Sequence, residues 1–433
     1  MTEIGVGVVG CGYVGLTAAV CLAERGLDTV SVDVDATTVS RLSEGFAVID
    51  EPLLPELLRA GLSRGLLRFS TDYATLADRD VVFVCVPTPG GDDGSADLRE
   101  VESAVDRLVT VLRPGAVIAL KSTVPVGTTT RIAGRLQQTG IGVVAAPEFL
   151  RQGRAVHDFR SPDRLVIGAA GDAEAGLVWR AYRPGAEPML RMSPESAELT
   201  KYASNAFLAM KLSYVNSLAE LCVRVGADIG DVTAGMGVDD RIGPHFLQPG
   251  PGWGGPCLPK DTAALMHTAH THGVALPEVE AARSTNASQA VRVSAALQRG
   301  MTRPLTSARI TALGLTFKAA TSDARDSPAL AICARLAAAG AKLCGYDPQL
   351  HLIDPRVLRA TEITAVDDPY LAAKSADAIL VLTEWPQFGE LDWAAIAEQA
   401  PAAVVVDTRN VLDPAVIGAT GLVYIGNGVQ YGY

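Results

Sequence analysis

Gly10, Gly12 and Gly15 follow directly on an apolar run, Ile4–Val9, and lead into a stretch with helical spacing, Thr17–Arg25, that Gly26 closes. No other feature limits the fold of this chain as sharply. In a strand–turn–helix unit the first glycine permits the tight turn, the second lets backbone approach a pyrophosphate, and the third lets helix and strand pack. The start of the helix then offers unpaired N–H groups and a positive dipole end to the phosphates. Tyr13 and Val14 lie inside this element. A second apolar run, Thr29–Val34, carries Asp33, 18 residues past Gly15. A carboxylate there can accept both ribose hydroxyls and repels a 2′-phosphate, so the pattern predicts NAD rather than NADP.

Further apolar runs at Val81–Val86, Ala116–Leu120 and Gly142–Ala145 are separated by helical spacing. Short apolar strands alternating with helices predict a parallel sheet covered on both faces. The last part of the chain repeats the pattern. Arg309–Leu313 ends at Gly314, Pro328–Ala339 is helical and closed by Gly340, and Lys342–Tyr346 ends at Asp347. Ala378–Leu382 and Ala402–Asp407 match Val81–Val86 and Ala116–Leu120. Here the first turn is degraded: Phe317 and Lys318 stand where further glycines are expected, which bars a dinucleotide but offers Lys318 to a phosphate. Between the two α/β parts, Ser196–Val225 reads as one helix of roughly 45 Å, and a second helical stretch runs from Asp261 to Gln298. The expected division is 1–193, 194–302 and 303–433: a Rossmann NAD domain, a central long-helix region, and a Rossmann-like domain for an anionic ligand.

A Gly- and Pro-rich loop, Gly235–Pro259, joins the central helices and contains GPGWGGPCLPKD at 250–261. Pro259 suits a first helical turn, so Cys257 is expected just before a helix start. That position and nearby Lys260 both favour a thiolate. The other six cysteines (11, 21, 85, 222, 333 and 344) read as small buried hydrophobes. They are scattered and never spaced C-x-x-C, which excludes a disulfide framework and fits a reducing cytosol. His267, His270 and His272 lack an acidic or cysteine partner at ligand spacing, so no metal is expected. A net charge of -11 argues against nucleic acid. No basic-then-apolar leader opens the chain and no run of 18 apolar residues occurs, so neither a signal peptide nor a membrane span is expected.

The ordered motifs identify a resemblance that covers essentially the whole chain. GCGYVGL (10–16), VPTP (86–89), KSTVPVGT (121–128), PEFLR (147–151), ELTKYASNAFLAMKLSYVNSLAEL (198–221), DRIGPHFLQPGPGWGGPCLPKD (240–261), LGLTFK (313–318) and DSPA (326–329) are similar to the UDP-glucose/GDP-mannose dehydrogenase family. The resemblance implies an NAD-dependent, four-electron oxidation of a nucleotide sugar at C6, through a thiohemiacetal and a thioester on Cys257. It implies that Thr123 and Asp261 hold a water that takes the hydroxyl proton. Lys201 and Asn205 would stabilise the oxyanion, and Glu148 would activate water for hydrolysis. It adds Thr88, Thr123, Gln152 and Arg325 to the NAD site. Around the sugar nucleotide it places Glu148, Phe149, Leu150, Arg151, Lys201, Asn205, Phe246, Gln248, Gly250, Gly252, Trp253, Gly254, Phe317, Lys318 and Arg409. Arg241 would reach the substrate of the neighbouring subunit of a homodimer. The sequence departs from the family at Ala146 (usually Asn), Gln152 (usually Glu), Pro256 (usually Ser) and Leu258 (usually Phe). The C-L-P-K-D ending looks like the UDP-glucose branch. Other nucleotide sugars, a two-electron reaction, and a catalytically silent binding protein remain alternatives.

Overall fold

The computed structural model describes residues 4–182 and 188–433. The chain divides into two compact units, the described residues up to Ser204 with Ala263–Val274, and Asn205–Thr262 with Ala275–Tyr433. In the first unit the strands are β1 (Val6–Val9), β2 (Thr29–Val32), β3 (Leu67–Ser70), β4 (Val81–Val84), β5 (Val117–Leu120), β6 (Gly142–Ala145), β7 (Leu165–Gly168) and β8 (Met189–Met192). Their spatial order is β3-β2-β1-β4-β5-β6-β7-β8. Val6 faces Thr29 on one side and Val81 on the other, both in parallel register. The pairing of β6 with β7 is antiparallel.

The period-2 alternation of a strand explains why both faces are covered. Val6, Val8, Val81 and Phe83 pack under Leu16 and Val20 of the helix Tyr13–Glu24. Val9, Val82, Val84 and Ile118 pack under Val101, Val105 and Leu108 of the helix Arg99–Val111. Each such side chain contributes about 1.5–3 kcal/mol on burial. Winding reverses between β1 and β4, so the crevice for a ligand lies at the C-terminal ends of these strands.

The second unit repeats the winding with β9 (Arg309–Leu313), β10 (Lys342–Tyr346), β11 (Ile363–Ala365), β12 (Ala378–Val381), β13 (Val404–Asp407) and β14 (Val423–Gly426). The order is β11-β10-β9-β12-β13-β14, with every pair parallel. Gly10 and Gly314 take the same left-handed turn, at φ 95° and 91°. The parallel then ends. The helix Tyr13–Glu24 starts at once, whereas residues 315–327 intervene before the helix Pro328–Ala338. Counted from the turn, Thr316 and Ala319 occupy the later glycine positions, not Phe317 and Lys318.

The long helix spans Pro194–Val225, 32 residues. By length and composition alone it could cross a membrane. Its interior carries Glu198, Lys201, Asn205 and Asn216, all buried and all hydrogen-bonded within the protein. The single helical stretch expected over Asp261–Gln298 is two helices, Leu258–Thr271 and Pro277–Gly300. Gly273 at φ 70° turns the chain and Pro277 starts the next helix, so apolar spacing ran on across a break.

Glu198 ties the long helix to the loop after β5. Its carboxylate accepts the Gly127 N–H at 2.6 Å, the Thr129 N–H at 2.7 Å and the Thr129 hydroxyl at 2.6 Å, so it caps the helix Thr128–Leu136 from 69 residues away. A Glu198→Ala change leaves these donors buried without an acceptor. It should cost about 1–3 kcal/mol, read as a lower denaturant midpoint at unchanged slope. An unchanged midpoint would contradict the capping role.

Candidate active site

The glycine turn of the first unit is built for close approach. A Cβ on Gly15 would stand 1.8 Å from the Gly10 carbonyl, and one on Gly10 would stand 2.8 Å from the Cys85 carbonyl. A Cβ on Gly12 would meet open space. The room left at Gly12, beside the first amides of the helix, fits a pyrophosphate. Asp33, half-buried past the end of β2, accepts the Cys11 N–H at 2.6 Å and the Asp35 N–H at 2.9 Å. Its counterpart Asp347 is sealed: 1% exposed, it accepts Leu315 N–H, Thr316 N–H and the Trp385 indole. The front acid is open to a ribose and the rear one is spent on its own loop.

A residue that sequence reasoning missed locks this turn. Glu51, 2% exposed, accepts the Tyr13 hydroxyl, the Gly153 N–H and the Ala155 N–H. It joins the turn to the loop holding Gln152. Thr88, Thr123 and Glu148 follow β4, β5 and β6, at the C-terminal edge of the sheet; Val14 is half-buried in the first turn of the helix Tyr13–Glu24.

Glu148 and Lys201 form a buried ion pair at 3.0 Å, with side chains 9% and 5% exposed. The second carboxylate oxygen accepts the Leu150 N–H at 2.6 Å. Burial pushes the Glu148 carboxyl up, but the Lys201 ammonium, the Leu150 N–H and the Lys121 ammonium together outweigh it and hold it below its ordinary value. Lys201 also lies 5.2 Å from the centre of the Phe149 ring, and Arg164 lies 3.9 Å from it. Arg151 is turned to Asp158 at 2.6 Å. One helical turn past Lys201, Asn205 donates to Asp261 at 2.6 Å, so the spacing of four puts two polar anchors on one face of the long helix.

In the second unit Cys257 immediately precedes the helix Leu258–Thr271, and its carbonyl accepts the Asp261 N–H at 2.9 Å. It is half-buried, whereas the other six cysteines are buried. Burial pushes the thiols of Cys11, Cys21, Cys85 and Cys333 up to about 12. Lys260 pairs with Asp261 at 2.5 Å, and Arg325, gripped by Asp323, adds a second positive charge that interacts with Cys257.

Three helix residues, also missed, hold the cysteine loop in shape. Asn216 accepts the Gly250 N–H, Asn286 both accepts from and donates to the Trp253 backbone, and Ser213 accepts the Trp253 indole N–H. Asparagine is a poor helix former, so Asn216 and Asn286 in helix interiors were the available signal. A Cβ on Gly254 would stand 1.9 Å from the Asp326 carbonyl, which leaves glycine as the fit there. Gly250 lies against Arg409, whose guanidinium is held by Leu382 and Glu384, and Gly255 lies against the Phe317 ring. Lys318 is 5.9 Å from that ring. Gly252 is half-buried near Asn286, Phe246 is half-buried and Gln248 exposed. Arg241, 89% exposed, is engaged only by Asp239 among the described residues. His267 contacts the Asp93 carbonyl and His272 the Thr268 carbonyl.

Comparison with known proteins agrees along the chain. The model of the UDP-glucose/GDP-mannose dehydrogenase family, NAD binding domain, matches residues 4–185. The central-domain model matches 195–288 and the UDP-binding-domain model 311–414. A UDP-glucose 6-dehydrogenase of Rhizobium meliloti is 39% identical over 97% of this chain and 98% of its own length. One of Pseudomonas aeruginosa is 38% identical over 97% and 96%. Among solved structures, a UDP-glucose dehydrogenase from Pyrobaculum islandicum superposes with a TM-score of 0.86 at 35% identity, covering 94% of this chain and 95% of that one. A UDP-D-ManNAc dehydrogenase from Pyrococcus horikoshii gives 0.88 at 26% identity, covering 99% and 100%. The glycine turn with its open acid, the buried Glu148–Lys201 pair and the half-buried cysteine thus stand in a chain that belongs to the UDP-glucose/GDP-mannose dehydrogenase family of NAD-dependent nucleotide-sugar dehydrogenases.

Proposed function

We propose that this chain oxidises UDP-glucose to UDP-glucuronate in two NAD-linked steps, through a thioester on Cys257. The observation that carries the reading is the position of that sulfur. It is the cysteine of the seven that is not buried, it opens a helix, and an arginine charge acts on it. These are the surroundings of a reactive thiolate. The 34–39% identical relatives named for UDP-glucose support the choice of sugar. The likeness to the UDP-D-ManNAc enzyme, at 26% identity, supports the fold.

In this reading Gly10, Gly12, Tyr13, Val14, Gly15, Asp33, Thr88, Gln152 and Arg325 hold the cofactor. Bound NAD supplies the hydride acceptor in both oxidations. Thr123 and Asp261 hold the water that takes the C6 hydroxyl proton as the first hydride leaves. The Cys257 sulfur then gives an electron pair to the aldehyde carbon and forms the C–S bond. Lys201 and the Asn205 N–H stabilise the oxygen until it takes a proton. The resulting thiohemiacetal still has a C–H, so a second hydride and the hydroxyl proton leave and a thioester remains. Glu148 takes a proton from water as the water oxygen attacks. The C–S bond breaks and its pair returns to sulfur. Per sugar, two NAD and one water are consumed, and two NADH, three protons and one carboxylate appear.

Phe149, Leu150, Arg151, Phe246, Gln248, Gly250, Gly252, Trp253, Gly254, Phe317, Lys318 and Arg409 would grip the nucleotide sugar. We further propose a cytosolic homodimer. Phe207, Tyr214 and Leu221 stand seven apart on the long helix and are 52–60% exposed, the spacing of a helix–helix seam. Arg241, extended into solvent, would reach the partner's substrate.

Purified protein given UDP-glucose should release two NADH per sugar, and Cys257→Ser should lose carboxylate formation. One NADH per sugar would favour a two-electron reaction with an inert cysteine, and no turnover with any UDP-, dTDP- or GDP-sugar would favour a silent binding protein. Asp33→Asn should raise the KM for NAD about 10- to 100-fold, the scale of lost charge-assisted hydrogen bonds, and narrow the preference over NADP. An unchanged NAD:NADP ratio would remove Asp33 from the ribose.

A further inference from the structure

Lys121, 3% exposed, is a buried cation the mechanism above leaves unused. It follows β5, two residues before Thr123. Its ammonium donates to the Tyr182 hydroxyl at 2.8 Å and lies 5.2 Å and 5.7 Å from the ring centres of Tyr182 and Phe159. The Tyr182 hydroxyl is its one hydrogen-bond acceptor among the described residues. One neutral acceptor and two ring faces are thin compensation for an ammonium taken out of water, a transfer that costs several kcal/mol. A second compensation is at hand. Lys121 and Glu148 line the same cavity, of about 40 Å³, room for roughly two or three waters. Lys201 instead lines a smaller cavity with Thr123. Glu148 therefore answers to two ammonium groups, which line different cavities.

We propose that Lys121 is a positioning residue for water activation. It keeps Glu148 a carboxylate, beside water, while the Lys201 charge is drawn to the oxyanion. The inference rests on the thioester reading given above. A buried carboxylate that loses its sole partner takes up a proton, and a protonated Glu148 cannot accept one from water. With Lys121 in place the base survives the step in which Lys201 is needed elsewhere. The charges around the pair support this assignment. Cys85 and Tyr182 face Lys121 along with Glu148. Lys121 and Lys201 face Glu148. On the cavity wall Arg151 is neutralised by Asp158, and Arg164, stacked on Phe149, interacts with Asp163. Each of the two lysines favours the charged form of Glu148. Removing Lys121 raises the Glu148 carboxyl, so the acid limb of hydrolysis must move to higher pH.

The test is rapid-quench kinetics of wild type, Lys121→Gln, Lys121→Met and the charge-keeping Lys121→Arg, with melting and NADH binding as checks of folding. In the two neutral variants two NADH should appear in the first turnover. Acid release should then lag roughly ten-fold behind wild type, against 10²-fold or more for outright loss of a general base. The acid limb of hydrolysis should move to higher pH, and Lys121→Arg should recover most of both effects. A folded neutral variant with unchanged hydrolysis and acid limb would overturn the proposal, as would equal slowing of every step, which marks a packing role. In case neither neutral variant folds, the wild-type limb decides: it should lie below the ordinary glutamate value of about 4.3, and a limb above it would overturn the proposal. One NADH per sugar in wild type would instead refute the thioester reading itself.

Discussion

Two opposite charges buried together, Glu148 and Lys201, set the terms for the first unit. Taking either ion out of water costs several kcal/mol, and attraction repays it only when geometry is good and the remaining valences are filled. Both conditions are met: the pair is 3.0 Å apart, and Glu148 also accepts the Leu150 N–H. Keeping that geometry requires a fixed loop after β6 and a fixed rotation of the long helix. Glu198, one turn before Lys201, clamps the helix to the loop after β5. Glu51 clamps the 153–155 backbone to the glycine turn through Tyr13. A buried pair is weak evidence of stability, and its retention here makes sense as chemistry: a carboxylate kept charged away from bulk water beside a cation.

The two α/β sheets show how one winding is turned to two uses. Both begin with a strand, a left-handed glycine and a second strand ending in an aspartate. In the first, helix and turn close directly on each other and Asp33 keeps an open side. In the second, residues 315–327 interrupt the unit and Asp347 is consumed by that loop and by Trp385. The interruption is not waste. It carries Phe317, Arg325 and Asp326, which pack on Gly255, act on Cys257 and cross Gly254. The degraded dinucleotide turn has become the wall of the cysteine loop.

What the sequence revealed follows the range of its signals. Local geometry was legible: the glycine turn, the strand ends bearing Asp33 and Asp347, the helix start behind Cys257 and the four-residue spacing of Lys201 and Asn205 each depend on neighbours a few positions away. Long-range partners were not. Lys260 is paired with its neighbour Asp261, and a further charge acting on Cys257 comes from Arg325, 68 positions on. Glu51 reads as one acid in a turn until the fold brings Tyr13 and Gly153 to it. Strands β3 and β8 went unread because an arginine interrupts each run, at Arg68 and Arg191, whereas Leu165–Gly168 of β7, also unread, is as apolar as the strands that were read. The break at Gly273–Pro277 was visible in residue type and was overridden by apolar spacing.

The central claim is that the acid is made on sulfur. Intact-mass and peptide analysis of Glu148→Gln, acid-quenched after a single turnover with UDP-glucose and NAD, addresses it directly. The account predicts that the peptide containing Cys257 carries the glucuronyl nucleotide as an acyl group that hydroxylamine removes. An unmodified Cys257 peptide in a sample that has released both NADH would contradict it.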